Sequence, residues 1–276
     1  MNKPPLKVVS NSSDDTARSF SPANPVVITS IGRQRVGKTV FLNTLVQLAR
    51  GHGAEIDVWN ADLLNKSHSL STFHQEALVP DSNLMVDQRN WIEARFEAQV
   101  QSRRDAVLDV GGGWTAFHHL IEETPLIDVL EEANLSLVAV YVLGTEAGDI
   151  DYLDTLQSIK MFLPKKSLIV LNEGLVGSGR DPASAFEPIG NHPVVQKALN
   201  AGAKAAFMPA LSCMAAVTDR GLSFADFANG KQVAGFPNTS MFDRARVRRW
   251  FERDMPAFFS KIQPGWLPRL AEGEVF

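Results

Sequence analysis

The sequence predicts a doubly wound α/β fold, in which a mostly parallel sheet carries helices on both faces. From residue 25 onward, short apolar runs alternate with stretches of helical spacing, and this alternation is typical of parallel sheets. The runs are continuous in Val, Ile and Leu rather than alternating with polar residues, which indicates strands buried on both faces. A turn ending in Gly-Lys-Thr separates the first run from the first helical stretch.

The elements follow one another in a regular order. Strands are predicted at the apolar runs, which are residues 25–31, 54–59, 105–110, 135–143, 167–172 and 205–211. Helices are predicted where apolar residues recur at helical spacing, over residues 38–50, 87–103, 117–132, 149–162, 194–201 and 241–261. A loop rich in Gly and Pro is expected over residues 173–193. No internal repeat interrupts this order, so we expect one domain over residues 25–276.

The composition bounds the classes of function. The chain has 276 residues, 21% of them charged, and a formal net charge of −4, so nucleic-acid binding would need a local basic patch. One cysteine, Cys213, excludes a disulfide framework, and no apolar run approaches the ~20 residues that span a bilayer. Residues 1–24 are polar and lack the apolar core of a signal peptide. We therefore expect a mobile N-terminal arm and a cytoplasmic protein.

The turn between the first strand and the first helix predicts a phosphate-binding loop. Gly32, Gly37, Lys38 and Thr39 satisfy the pattern G-x-x-x-x-G-K-[ST]. Glycines let successive backbone N–H groups point at phosphate oxygens, the lysine brings a positive charge, and the threonine hydroxyl suits Mg²⁺. The helix that begins at Lys38 adds the positive end of its dipole. The alternative is a tight turn without a ligand.

A carboxylate at the end of a later strand predicts the metal side of the same site. Asp109 ends the run "DAVLDV" and is followed by three glycines, residues 111–113. Such a carboxylate can hold Mg²⁺ through water, and the glycine N–H groups can approach a γ-phosphate and move when it leaves. The alternative is an aspartate that only closes a strand.

With these motifs the chain resembles the ParA/MinD family of P-loop ATPases. The family's phosphate loop reads K-G-G-x-G-K-[ST], and here the matching stretch is "RQRVGKT", residues 33–39. The family's second strand ends in D-x-D, and here "NAD" stands at residues 60–62. "VLDVGGG", "VYVLGTEAGDIDYLDTL", "LIVLNEG" and "FMPAL" resemble later segments of the family, so that the similarity covers about residues 25–260.

The resemblance implies roles for individual residues. Asp62 would orient the attacking water in the first switch, Asn172 would hydrogen-bond adenine, and the loop that begins at Pro209 would flank the base. Arg33 occupies the position of the family's signature lysine, which reaches the partner's phosphates in an ATP-sandwich dimer. Gln34 and Arg35 stand where the family has two glycines.

Three sets of site residues follow from the motifs and the resemblance together. The predicted catalytic residues are Lys38, Asp62 and Arg33. The predicted nucleotide-binding residues are Gly32, Arg35, Val36, Gly37, Lys38, Thr39, Val40, Gly112, Asn172 and Pro209. The predicted Mg²⁺ ligands are Thr39, Asp109 and Asp62, with ATP and Mg²⁺ as the cofactors.

A cluster of arginines near the C-terminus suggests a partner surface. Arg244, Arg246, Arg248, Arg249 and Arg253 lie within the last predicted helix. They predict either a solvated helix face or a surface for DNA or another acidic partner. A membrane-anchoring helix is disfavoured because prolines and glutamates follow in "IQPGWLPRLAEGEVF".

The leading functional hypothesis is an ATPase switch whose dimerisation and partner binding depend on the nucleotide. The resemblance implies cargo positioning, such as plasmid partition, conjugative transfer or placement of a cellular machine. The alternatives are a phosphotransferase or synthetase on the same core, a GTPase, and a nucleotide-binding scaffold that hydrolyses little. The GTPase motif N-K-x-D is absent from the matching strand, which reads "LNEG".

Overall fold

The computed structural model describes residues 24–63, 65, 68–111, 115–159, 162 and 164–276. Nearly all of the predicted arm, residues 1–23, and the predicted ligand Gly112 therefore lie outside the described residues. Within these ranges, the chain forms one sheet of six strands in the order β2-β3-β1-β4-β5-β6. The strands are Val26–Ile31 (β1), Ile56–Asn60 (β2), Asp105–Asp109 (β3), Ser136–Leu143 (β4), Lys166–Asn172 (β5) and Lys204–Met208 (β6).

All five strand pairings are parallel, and helices connect the strands. The α-helices are Lys38–Gly51 (α1), Leu70–Phe73 (α2), Met85–Ser102 (α3), Thr115–Glu123 (α4), Leu126–Glu132 (α5), Asp151–Ser158 (α6), Pro182–Gly190 (α7), Pro193–Asn200 (α8), Met214–Thr218 (α9), Phe224–Ala228 (α10), Met241–Arg249 (α11) and Met255–Phe259 (α12). Short 3₁₀ turns lie at Ala147–Asp149, Glu173–Leu175 and Pro264–Trp266, and a π-helical turn, Trp250–Asp254, joins α11 to α12.

Two apolar cores lie on opposite faces of the sheet. Alternate residues of β1 point to opposite sides, so that Val26 and Ile28 belong to one core and Val27 and Ile31 to the other. The first core includes residues of α1, α2 and α9–α12, and the second includes residues of α3–α8. The predicted doubly wound parallel fold is therefore confirmed.

Three segments differ from the predicted elements. The helix expected over residues 241–261 is divided into α11 and α12 by the π-helical turn Trp250–Asp254. The helix expected over residues 117–132 is two helices, because Pro125 cannot continue a helix and biases the residue before it away from helical geometry. The loop expected over residues 173–193 contains α7. Its start is favoured by Pro182 in the first turn and by Asp181, whose carboxylate accepts a hydrogen bond from the Ser184 amide at 2.9 Å.

The strand order positions the site. Ser30 of β1 pairs with Asp109 of β3, so that the phosphate loop and the end of β3 are neighbours. The chain runs from β1 outward to β2 and back to β3, then crosses to β4 on the other side of β1. The carboxyl end of β1 is thus a topological switch point, where doubly wound sheets bind their ligands.

Candidate nucleotide-binding site

The turn from β1 into α1 can be built only with glycine at two of its positions. Gly32 and Gly37 have φ angles of 149° and 103°, in the region that favours glycine. A Cβ at Gly32 would lie 2.6 Å from the Val142 carbonyl oxygen, and one at Gly37 would lie 2.5 Å from Nδ2 of Asn172. The backbone of the loop is therefore pressed against the ends of the neighbouring strands β4 and β5. Any side chain at either glycine would push the loop away from them.

Lys38 is a buried cation inside this loop. Its Nζ donates to the carbonyl oxygens of Gly32 at 2.9 Å and Arg33 at 2.8 Å, and only 6% of the residue is exposed. Burial lowers the pKa of the ammonium, and the charges of Asp109 and Asp62 partly offset this. A buried ammonium held by neutral carbonyls is stabilised by any anion that reaches it. The loop is therefore suited to phosphate oxygens.

Thr39 and Asp109 join the phosphate loop to the end of β3. The Thr39 hydroxyl donates to Oδ2 of Asp109 at 2.8 Å, and Oδ1 accepts from the Gly111 amide at 3.1 Å. Asp109 is fully buried, and burial raises the pKa of its carboxyl although Gly111, Thr39 and Lys38 act in the opposite direction. A buried carboxylate beside a hydroxyl supplies the oxygen ligands that Mg²⁺ prefers. The residues present fit a bound Mg²⁺.

Asp62 lies beside Gly111, the first of the glycines that follow β3. Its amide donates to Oδ1 of Asn60 at 3.1 Å, and its carboxylate accepts from the Asn65 amide at 3.3 Å. A Cβ at Gly111 would lie 2.6 Å from Cγ of Asp62, so the carboxylate rests on the glycine that follows β3. The structure therefore brings Asp62 to the same edge of the sheet as Asp109.

Asn172 has a role in the loop that the motifs did not predict. Its Nδ2 donates to the Val36 carbonyl at 2.8 Å, and its Oδ1 accepts from the Gly174 amide at 2.9 Å. The side chain thus ties the end of β5 to the phosphate loop, and its contact with adenine stays a prediction. At Pro209, the carbonyl accepts from Nε1 of Trp250 at 2.9 Å, which fixes the chain after β6 to the π-helical turn.

Arg33 is held by two acidic residues that sequence analysis did not single out. Its Nη1 donates to Oε2 of Glu146 at 2.8 Å and lies 3.5 Å from Oδ1 of Asp149, and the hydrogen bond to Glu146 raises the pKa of the guanidinium. Asp149 is buried and accepts from the Gly144 amide at 3.0 Å. Because both carboxylates follow β4, the neighbour of β1, their position after a strand end was the signal that could have found them.

The remaining predicted loop residues flank these contacts. Arg35 is exposed with a left-handed φ of 65°, Val36 is buried, and Val40 lies in the first turn of α1. For Arg35, this conformation suits the glycine that the resemblance expects at its position better than an arginine. None of the helices in the described ranges is long and apolar enough to cross a membrane.

Among the comparisons with known proteins, only the one with solved structures finds similar proteins. No protein-family model matches the chain, and comparison with curated proteins finds no match. The MinD cell division protein of Aquifex aeolicus is similar at 13% identity and a TM-score of 0.45, over 84% of this chain and 96% of that one. The MinC:MinD complex of the same organism gives 14% identity and a TM-score of 0.43, with the same coverage.

A third similar structure is the signal recognition particle 54 kDa protein of Aeropyrum pernix K1 in complex with GDP. It is 13% identical with a TM-score of 0.41, over 87% of this chain and 49% of that one. With its parallel sheet, its strand order and its phosphate loop between β1 and α1, the chain has the fold of a P-loop NTPase.

Proposed function

We propose that the chain is an ATPase switch that binds Mg²⁺-ATP at the carboxyl end of β1 and hydrolyses it. The observation that carries this proposal is the hydrogen bond between Thr39 and Asp109, 2.8 Å long, next to the buried ammonium of Lys38. A lysine, a hydroxyl and a carboxylate that follow two neighbouring strands lie close together here, which supports a single binding site for phosphate and metal. A tight turn without a ligand would need neither a buried cation nor a buried carboxylate, and both are costly to bury.

Each residue has a separate task in this proposal. The loop amides and Lys38 bind the phosphates, and Thr39 and Asp109 would hold Mg²⁺, which neutralises charge on the phosphate oxygens. Asp62 orients a water molecule for addition to the γ-phosphoryl group, so that ADP and inorganic phosphate leave. Positioning and electrostatics account for most of the catalysis in such reactions.

We further propose that two copies of the chain associate around the bound nucleotide. Arg33 of each copy is then directed at the phosphates of the nucleotide that the other copy binds. Glu146 and Asp149 would then have to release Arg33. As the ParA/MinD resemblance implies, the work driven is cargo positioning, in plasmid partition, conjugative transfer or placement of a cellular machine. A nucleotide-binding scaffold with little hydrolysis, and a phosphotransferase or synthetase, are the competing functions.

The direct test is binding and turnover of nucleotides by the full chain. We expect calorimetry to show ATP binding that requires Mg²⁺, and phosphate release to show hydrolysis that EDTA abolishes. Binding without turnover would favour the nucleotide-binding scaffold. Tighter binding of GTP than of ATP would show that the site prefers guanine to adenine. Failure of both nucleotides to bind with Mg²⁺ present would refute the proposal.

A further inference from the structure

One face of α11 and of the π-helical turn after it presents aromatic and basic side chains to solvent. Phe242, Arg246, Arg249 and Arg253 are spaced by four, three and four residues and are all exposed, so they form one stripe along the helix. We call these four residues the outward stripe. At its start, Phe242 is 65% exposed, and its neighbour Met241 is 71% exposed. The other side of the helix buries Val247 and Trp250 in the core.

The two remaining arginines of the cluster serve the fold. Nε of Arg244 and Nη2 of Arg248 both donate to the carbonyl oxygen of Ala228, at 3.3 and 3.0 Å. Ala228 is the last residue of α10, where helices leave carbonyl groups without intrahelical partners. Arg244 and Arg248 therefore fasten α11 to the end of α10, and Arg248 also remains exposed beside the outward stripe.

The positive charge of the outward stripe is partly offset by neighbouring carboxylates. Nη1 of Arg246 lies 2.6 Å from Oδ1 of Asp243, and Nε of Arg249 lies 3.7 Å from Oδ2 of Asp254. The whole chain has a formal net charge of −4. Double-stranded DNA carries one charge per ~1.7 Å, and non-specific binding to it depends on many phosphate contacts. Three arginines, two of them beside carboxylates, make a weak field for such a polyanion.

The apolar end of the stripe points to a different partner. A phosphate backbone offers nothing for an exposed phenylalanine and methionine to bury. Aromatic residues and arginine are the side chains that interface cores favour, with arginine pairing carboxylates in bidentate geometry. A protein segment with a few carboxylates and an apolar anchor would satisfy both parts of the surface.

We propose that the outward stripe, together with Met241, is a docking surface for an acidic amphipathic segment of a partner protein. The partner's apolar anchor contacts Met241 and Phe242, and its carboxylates pair with Arg246, Arg249 and Arg253. The contacts need no nucleotide, so the proposal stands apart from the ATPase activity.

The test uses synthetic helical peptides and the full-length protein. The first peptide carries a leucine pair followed by glutamates at the spacing of the stripe. A second replaces the glutamates by glutamine, and a third replaces the leucines by alanine. We expect the first peptide to bind about tenfold or more tightly than either control, measured by fluorescence anisotropy, since buried charge pairs and apolar anchors each contribute at this scale.

Two variants locate the site on the protein. Arg246→Glu with Arg249→Glu, and Phe242→Ser, change exposed side chains and should each weaken binding of the first peptide about tenfold or more. A control with the same charge change, Lys165→Glu with Lys197→Glu, alters exposed lysines elsewhere and should bind like wild type. Thermal unfolding of each variant confirms that it is folded.

Double-stranded DNA of random sequence is the alternative ligand, and its binding is measured at low and at physiological salt concentration. Duplex binding that the arginine variant abolishes, without preference for the glutamate peptide, would assign the surface to nucleic acid and overturn the proposal. Equal affinity for the glutamate and glutamine peptides, no peptide binding, or an unchanged affinity in the Phe242→Ser variant would overturn it as well.

Discussion

Replacing Lys38 by methionine should remove most of the affinity for nucleoside triphosphate. The side chain keeps its length and apolar stem but loses the ammonium, which lies within the loop on a residue that is only 6% exposed. Removing one partner of a buried, hydrogen-bonded charge pair costs about 2–5 kcal/mol. At 25 °C this corresponds to an increase in Kd of roughly 30-fold to several thousand-fold.

Calorimetry with ATP and Mg²⁺ measures this change directly. Lys165→Met is the matched control, because that lysine is 76% exposed and pairs only at the surface with Glu131. We expect the control to bind ATP like wild type and both variants to remain folded by urea unfolding. The Lys38→Met protein could instead be folded and keep a Kd for ATP within about threefold of wild type. This result would show that phosphates do not contact the buried ammonium, and it would refute the assignment of the phosphate-binding site.

Four further predictions test separate parts of the site and its support. Asp62→Ala should bind ATP nearly as wild type but lose hydrolysis, because orienting water affects the rate more than the ground state; persistent single-turnover hydrolysis would remove Asp62 from the switch. Asp109→Asn should weaken Mg²⁺-dependent binding at least tenfold, while the metal-free protein becomes no less stable to urea, because a neutral amide is easier to bury. An unchanged Mg²⁺ requirement would contradict the assignment. Arg33→Ala should stay monomeric by light scattering with a hydrolysis-resistant ATP analogue, and a wild type that is also monomeric would contradict the dimer. Burial lowers the pKa of His74 from 6.5 to about 4, helped by the charge of nearby Arg50. The folded state therefore resists protonation of His74, and stability is lost as the pH falls below 6.5. Urea unfolding should show about 2 kcal/mol lost from this group between pH 7 and pH 5. A His74→Gln variant that loses as much would refute the assignment.

The phosphate loop could be predicted from the sequence because its contacts are local. Lys38 binds carbonyl groups five and six residues before it, so the spacing of the motif already contains the geometry. The ends of β1 and β3 were predictable for a related reason. Continuous apolar runs identify buried parallel strands, and such strands end at a common edge, which brought Asp109 into the prediction. Asp62 entered the prediction through the resemblance to the ParA/MinD family.

The strand order itself, and the contacts that depend on it, were decided only by the tertiary structure. Nδ2 of Asn172 bonds to Val36 across 136 residues of chain, and Arg33 pairs with Glu146 across 113 residues. Neither pairing has a sequence spacing to reveal it, since each depends on which strand lies next to β1 and on how far each loop extends.

The arginine cluster shows the same division on a single helix. The composition of residues 244–253 predicted either a solvated helix face or a surface for an acidic partner, and it could not distinguish the five arginines from one another. The structure separates Arg244 and Arg248, which bind the carbonyl of Ala228, from three that point outward. The sequence by itself determined the fold class, the phosphate loop and the position of Asp109 at a strand end, because local spacing and apolar patterning encode them. Only the tertiary structure decided which charged side chains bond to distant backbone groups and which face solvent, because long-range packing sets the neighbours of each one.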